Sequence, residues 1–218
     1  MKQTVKWLTA ALIALGLMYV IGRGVLQDDA EAVRWYRQAA AQGDVQAQNN
    51  LGVMYANGRG VRQDDAEAVR WFRQAAELGD AEAQIHLGVM YEDGRGVLQD
   101  YAEAVRWYRQ AAEQGNVKAQ TNLGVMYENG RGVRQDYAEA VRWYRQAAAQ
   151  GLAQAQFNLG VMYEDGRGVR QDYAEAVRWY RQAAAQGLAQ AQFNLGVMYE
   201  DGRGVRQDYA EAVRWYRQ

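Results

Sequence analysis

The sequence predicts an all-α fold: a right-handed α/α superhelical solenoid of stacked helical hairpins, built from 36-residue repeats. Three observations carry that prediction. Six tryptophans, Trp35, Trp71, Trp107, Trp143, Trp179 and Trp215, stand 36 residues apart, and a period in this range marks a stack of identical supersecondary units. The 218 residues contain no Pro, while Gly is frequent and regularly placed; Ala, Arg, Gln and Glu recur between the glycines, as in helices that end at Gly. Within each period the apolar residues follow two helical patterns separated by a Gly-x-Gly loop. Residues 155–186 and 191–218 are near-copies of 119–150.

The chain opens on residues 1–22, a segment that resembles a signal peptide or anchor and merges into the first repeat. Lys2 and Lys6 precede an uncharged run from Trp7 to Gly22, a basic n-region and apolar h-region somewhat short for a membrane span. Leu15-Gly16-Leu17-Met18-Tyr19 nevertheless stands in register with Leu51-Gly52-Val53-Met54-Tyr55. A cleaved signal, an uncleaved anchor and a purely structural helix all fit. Ala14-Leu15-Gly16 is a usable cleavage site, but cutting there would remove half of a helix.

Residues 15–218 hold about six repeats. In residues 47–79, Ala47, Leu51, Met54 and Tyr55 share one face of a short helix, here helix A. Gly58 and Gly60 stop it, because Gly readily takes the left-handed conformation of a helix end. Asp64, with Glu67 three residues on, resembles a capping box opening helix B. Ala68, Val69, Trp71, Phe72, Ala75 and Ala76 form its apolar arc, Arg70, Arg73, Gln74 and Glu77 its polar arc, and Gly79 closes it. One hairpin alone should not fold. Ordering costs about 1–2 kcal/mol per residue, and each buried large side chain returns only about 1.5–3 kcal/mol. Stacking supplies the missing surface, and Gly52, Gly88, Gly124, Gly160 and Gly196 are expected to let helices approach closely. The last repeat lacks its helix-B ending, since Gln218 matches Gln182. The expectation there is a truncated repeat, or an apolar face (Val213, Trp215, Tyr216) covered by something else.

Leu51-Gly52-x-x-Tyr55, Gly58-x-Gly60-Val61-x-x-Asp64 and Ala68-x-x-Trp71-Phe72-x-x-Ala75-Ala76-x-x-Gly79 resemble the Sel1-like repeat, a relative of the tetratricopeptide repeat. The match recurs at Leu87–Gly115, Leu123–Gly151 and Leu159–Gly187, and incompletely at Leu15–Gly43 and Leu195–Gln218. The resemblance implies a non-catalytic adaptor for proteins or peptides, in bacteria often exported to the periplasm or beyond. Cysteine-rich members carry disulfides; this chain has no Cys, so their attributed activities are not carried over.

Catalytic readings fare badly. Without Ser or Cys the common acyl-transfer nucleophiles are missing. The one His, His86, fills the slot held by Asn50, Asn122, Asn158 and Asn194 and reads as a surface variant; no metal or cofactor is expected. The acids Glu92-Asp93, Glu164-Asp165 and Glu200-Asp201 recur beside helix stops, where helix-end solvation explains them better than acid–base work. A net charge of −1 argues against nucleic acid.

Two binding surfaces remain. Positions 49, 50, 53 and 57 of helix A point away from the Ala47/Leu51/Tyr55 core face, and the position-49 series changes freely (Asn49, Ile85, Thr121, Phe157, Phe193). By analogy with tetratricopeptide relatives this side is expected to line a concave groove. There Asn50, His86, Asn122, Asn158 and Asn194 would meet a ligand backbone, and Ile85, Phe157 and Phe193 would make apolar contact; alternatively the Phe residues fill a gap between repeats. The second surface is the helix-B arginine stripe, including Arg106, Arg109, Arg142, Arg145, Arg178 and Arg181. It suits an anionic glycan or lipid, unless neighbouring Glu side chains neutralise it. The leading expectation is a scaffold for an extended peptide or protein partner, exported or tethered to the inner membrane by its N-terminal segment.

Overall fold

In the computed structural model the backbone is described over residues 2–218 and the side chains over residues 9–218. The side chains of Lys2, Thr4, Lys6 and Trp7 lie outside the described residues. Twelve helices and no strand occur among the described residues: α1 (Lys2–Ile21), α2 (Asp29–Ala41), α3 (Val45–Asn57), α4 (Asp65–Glu77), α5 (Ala81–Asp93), α6 (Tyr101–Glu113), α7 (Val117–Asn129), α8 (Tyr137–Ala149), α9 (Ala153–Asp165), α10 (Tyr173–Ala185), α11 (Ala189–Asp201) and α12 (Tyr209–Tyr216). Odd-numbered helices are A helices and even-numbered ones B helices. The chain divides into two units, Met1–Ala111 and Ala112–Gln218. In the first, α1 packs on α2, α2 on α3, α3 on α4 and α4 on α5; in the second, each helix from α7 to α12 packs on the next.

The helix ends follow from the residues that stand there. Asp64 accepts the Glu67 N–H through Oδ1 at 3.0 Å, satisfying one orphan donor of α4. The reciprocal half of the expected capping box is absent. Glu67 instead pairs with Arg70 at 3.1 Å, and the Asp64 N–H donates to the Tyr55 carbonyl at 3.1 Å. That bond ties the loop to helix A and frees the glutamate. At the other end of α3, Gly58 is left-handed (φ 66°), as the loop sequence predicts. Caps on A helices are uneven: Asp44, Asp80 and Asn116 accept backbone N–H groups, whereas Leu152 and Leu188 give α9 and α11 no side-chain cap.

Each hairpin's core is the expected one. Ala68, Val69, Phe72, Ala75 and Ala76 of α4 bury against Ala83, Leu87 and Met90 of α5, with Trp107 of α6. In the second unit Ala140, Val141 and Tyr144 bury with Ala155, Leu159 and Met162, and Trp179 packs on that cluster. Each such cluster thus mixes one hairpin's helix B with the next hairpin's helices, the shared seam that a single hairpin lacks.

The close approach expected at the helix-A glycines is present. A Cβ on Gly52 would fall 2.6 Å from the Phe72 ring, and one on Gly160 would fall 2.6 Å from the Tyr180 ring. The N-terminal segment takes part in the same packing. Leu12 of α1 is 6% exposed, and Gly16 lies against the Tyr36 ring of α2.

Candidate partner-binding site

Helix A presents three kinds of side chain beyond its core face: one row across the gap to the next hairpin, one row of Asn or His, and an outward stripe. The position-49 row belongs to the gap. Asn49 Oδ1 lies 3.0 Å from His86 Nδ1 of the next hairpin. Ile85 and Thr121 are each 6% exposed, and Thr121 donates its hydroxyl to the Val117 carbonyl of its own helix at 3.0 Å. Phe157 is half-buried, its ring 5.7 Å from that of Tyr180. Phe193, at 60% exposure, is the open member, 5.7 Å from Tyr216. Ile85 therefore offers no ligand contact, contrary to the groove expectation. The slot is filled differently from hairpin to hairpin: Asn49 reaches His86 of the next hairpin, Thr121 bonds its own helix, and Phe157 and Phe193 lie beside tyrosines of their own helix B.

The Asn row is half-buried from α3 onward, and Asn50, Asn158 and Asn194 face the preceding helix B. Asn158 and Asn194 lie beside the Tyr144 and Tyr180 hydroxyls, and Asn158 Oδ1 accepts from Gln154 at 2.9 Å. Asn50 lies beside Tyr36, with its Nδ2 buried and without a well-formed hydrogen bond. Asn122 is half-buried on α7. His86 is not a surface variant. It stands where the preceding helix B carries Phe72, and its ring lies 4.7 Å from the Phe72 ring at 38°. Phe72 has no hydroxyl for an Asn to bond, so an aromatic ring replaces the amide.

The Tyr hydroxyls have a second partner that sequence reasoning missed. Tyr108, Tyr144 and Tyr180 donate to Glu92, Glu128 and Glu164 at 2.7, 2.7 and 2.6 Å. Burial and the adjoining carboxylates push the Tyr144 and Tyr180 phenols far above their ordinary range. Tyr216, bonded to Glu200 and more exposed, is raised to about 12.

Glu128 and Glu164 also bind an arginine of the next hairpin's Gly-Arg-Gly loop: Arg167 at 2.8 Å and Arg203 at 2.8 Å. These guanidiniums additionally face the rings of Tyr137 and Tyr173. The earlier hairpins use another partner for the same loop arginine. Arg59 grips Asp29 through two bonds of 3.1 and 2.7 Å, and Arg95 grips Asp65 at 3.3 and 2.7 Å. Where the acid sits on helix B, position 56 of helix A needs none, and Ala56 accompanies Phe72. Of the acids read as helix-end solvation, Glu92 and Glu164 are thus anchors between helices, and Glu128 plays the same part. The available signal was the pairing of Ala56 with Phe72 and Asp65, against Glu with Tyr and Tyr in the later repeats.

A second missed set is Gln48, Gln84, Gln120, Gln156 and Gln192, all buried. Gln84 and Gln156 donate to the Ala76 and Ala148 carbonyls at 3.1 and 3.3 Å. These bonds satisfy helix-B ends that the apolar seam would otherwise leave bare. An unvarying Gln beside an unvarying Ala, five times over, was the clue.

The arginine stripe is largely engaged. Arg106, Arg142 and Arg178 pair with Glu103, Glu139 and Glu175 at 3.0–3.2 Å and lie over Trp107, Trp143 and Trp179. Arg145 and Arg181 donate to the Tyr163 and Tyr199 hydroxyls at 2.8 and 2.6 Å, and Arg109 also has a partner. Among the described residues no three His, Asp or Glu side chains converge as metal ligands would.

The sequence matches the Sel1 repeat family over residues 9–44, 45–80, 81–116, 117–152, 153–188 and 189–218. The chain is a Sel1-repeat protein. A structure of a protective antigen from uropathogenic Escherichia coli strains, displaying an SLR fold, is 47% identical with a TM-score of 0.91, covering 96% of this chain and 45% of that one. This chain therefore spans less than half of that relative. A Sel1 repeat protein from Oxalobacter formigenes is 35% identical with a TM-score of 0.87, over 96% of this chain and 84% of its own. An immunity protein from Pseudomonas aeruginosa, at 21% identity and a TM-score of 0.60 over 97% and 81% of the two chains, shares the fold alone. No curated protein matches. The all-α solenoid of 36-residue Sel1 hairpins is the fold that the Trp period predicts.

Proposed function

We propose that this Sel1-repeat protein is a non-catalytic scaffold that binds an extended peptide or protein partner along the outward faces of its A helices. The observation that supports this reading is the contrast between its two surfaces. On the B helices the guanidiniums named above are paired or stacked, whereas each A helix from α3 onward carries an exposed polar stripe (Gln46 and Asn57, Gln154 and Asp165) around a half-buried Val. Such a face provides hydrogen-bonding groups at each hairpin, with Phe193 as an exposed aromatic anchor. The absence of Ser and Cys and the engaged state of the acids support the non-catalytic half of the proposal. The basic and apolar leader supports an envelope location.

The test is a pull-down from bacterial envelope extract with the full chain and two variants. Phe193→Ala with Asn194→Ala should cost the partner about tenfold or more in affinity, while Arg142→Glu with Arg178→Glu should leave it unchanged. The reverse pattern would favour a polyanionic glycan or lipid on the helix-B side and would overturn the proposal.

A further inference from the structure

The first A helix differs from the rest on the side that its hairpin does not bury. Ala10, Ala14, Leu17 and Ile21 stand at i, i+4, i+7 and i+11 of α1, so they form one stripe. All four are exposed, Leu17 at 41% and Ile21 at 61%. The same four places hold Gln46, Asn50, Val53 and Asn57 on α3, Gln154, Asn158, Val161 and Asp165 on α9, and Gln190, Asn194, Val197 and Asp201 on α11. Three of the four are polar on every A helix but α1. The opposite side of α1 is already committed, through Leu12 and through Gly16 on Tyr36. A helix apolar all round is covered on all sides or meets lipid. Here α2 covers only one side.

The charges around the stripe indicate what covers the other. Lys2, Lys6 and Arg23 lie in the first 27 residues, and the first acidic residue is Asp28. We infer that α1 docks flat on an anionic phospholipid surface, its Ala10–Ala14–Leu17–Ile21 stripe in the acyl boundary and the net positive charge of the N-terminal segment drawing it to the headgroups, while its other side stays packed on α2. An apolar helix face flanked by basic residues binds such surfaces through buried area and headgroup attraction together. One helix then serves both as the first hairpin's helix A and as the attachment of the scaffold. The inference stands apart from what the other A helices bind.

The test is flotation of the full chain with phosphatidylglycerol-containing vesicles and with phosphatidylcholine vesicles. The variant Ala10→Gln, Ala14→Asn, Ile21→Asn gives α1 a polar stripe like that of α3, and Ile21→Asn alone is the milder form. Circular dichroism checks that both stay helical. The wild type should float with the anionic vesicles, less so at high salt, and the triple variant should lose about tenfold or more of that partitioning. Amide exchange in α2 should stay slow on the vesicles. Equal flotation of wild type and triple variant would overturn the inference. So would loss of α2 protection, which would mean α1 had left its hairpin, or a wild type that ignores both vesicles and forms dimers through α1.

Discussion

At the scale of single residues, the hairpins are keyed together by polar groups that the apolar pattern does not reveal. Tyr180 is fully buried and donates to Glu164, which also holds Arg203. Tyr180→Phe should cost about 1–3 kcal/mol, since it leaves a carboxylate oxygen short of a donor. Phe72 beside Ala56 shows the compensated form. A double-mutant cycle of Tyr180→Phe with Glu164→Ala, measured by urea unfolding, should therefore show coupling of about 0.5–3 kcal/mol; additive losses would contradict the lock. The same hydroxyls set an alkaline limit. Tyr216 is raised to about 12, and Tyr144 and Tyr180 are raised further. A phenol whose folded pKa exceeds its unfolded value of about 10 contributes stability that is complete below that pH. That contribution drains away as pH climbs through the folded value. Urea midpoints should hold up to about pH 10 and fall above it, with phenolate absorbance of the buried tyrosines appearing together with unfolding. Gly96 is a second key. It is left-handed (φ 67°), and a Cβ there would sit 2.2 Å from the Asp65 carbonyl oxygen; Gly79 (φ 94°) has nothing within 4 Å. Gly79→Ala should cost only its backbone strain, about 1–2 kcal/mol, and Gly96→Ala clearly more, because backbone must move.

At the scale of elements, helix boundaries and core faces were legible in the sequence, because period, cap and Gly stop act within a few residues. Which side of helix A meets a ligand was not. Variation at position 49 looked like freedom to bind. It is instead a slot filled in different ways, by Asn49 with His86 of the next hairpin, by a buried Ile85 and by Phe157 on Tyr180 of its own hairpin. Thermal melts should separate the two phenylalanines. Phe157→Ala should destabilise by about 1–3 kcal/mol, as a partly buried aromatic does. Phe193→Ala should change stability by less than about 1 kcal/mol, as befits an exposed anchor. The His86 reading failed for a related reason: its partners, Phe72 and Asn49, lie in the preceding hairpin, and nothing in the local sequence announces them.

At the scale of the whole molecule, stability in such arrays is close to a sum over hairpins and the seams between neighbours. Helices α9 and α11 have the same sequence, so deleting residues 153–188 should bring α11 onto α8 with every partner type kept. Arg203 would meet Glu128 and Tyr137, and Asn194 would meet Tyr144. The shortened chain should remain helical and unfold at a lower urea midpoint. A molten product would show that the seam depends on more than nearest neighbours.

The sequence by itself determined the class of fold, the repeat unit, the caps and stops of its helices and the membership of its apolar core. Each of these is encoded by spacing within one chain segment. Only the tertiary structure decided which polar residues are locks and which remain open. A hydrogen bond between residues some 30 positions apart leaves no local trace beyond a paired change from one repeat to another. The exposed apolar stripe of α1 is of the same kind: its residues are plain in the sequence, but its bareness follows from where α2 stops covering it.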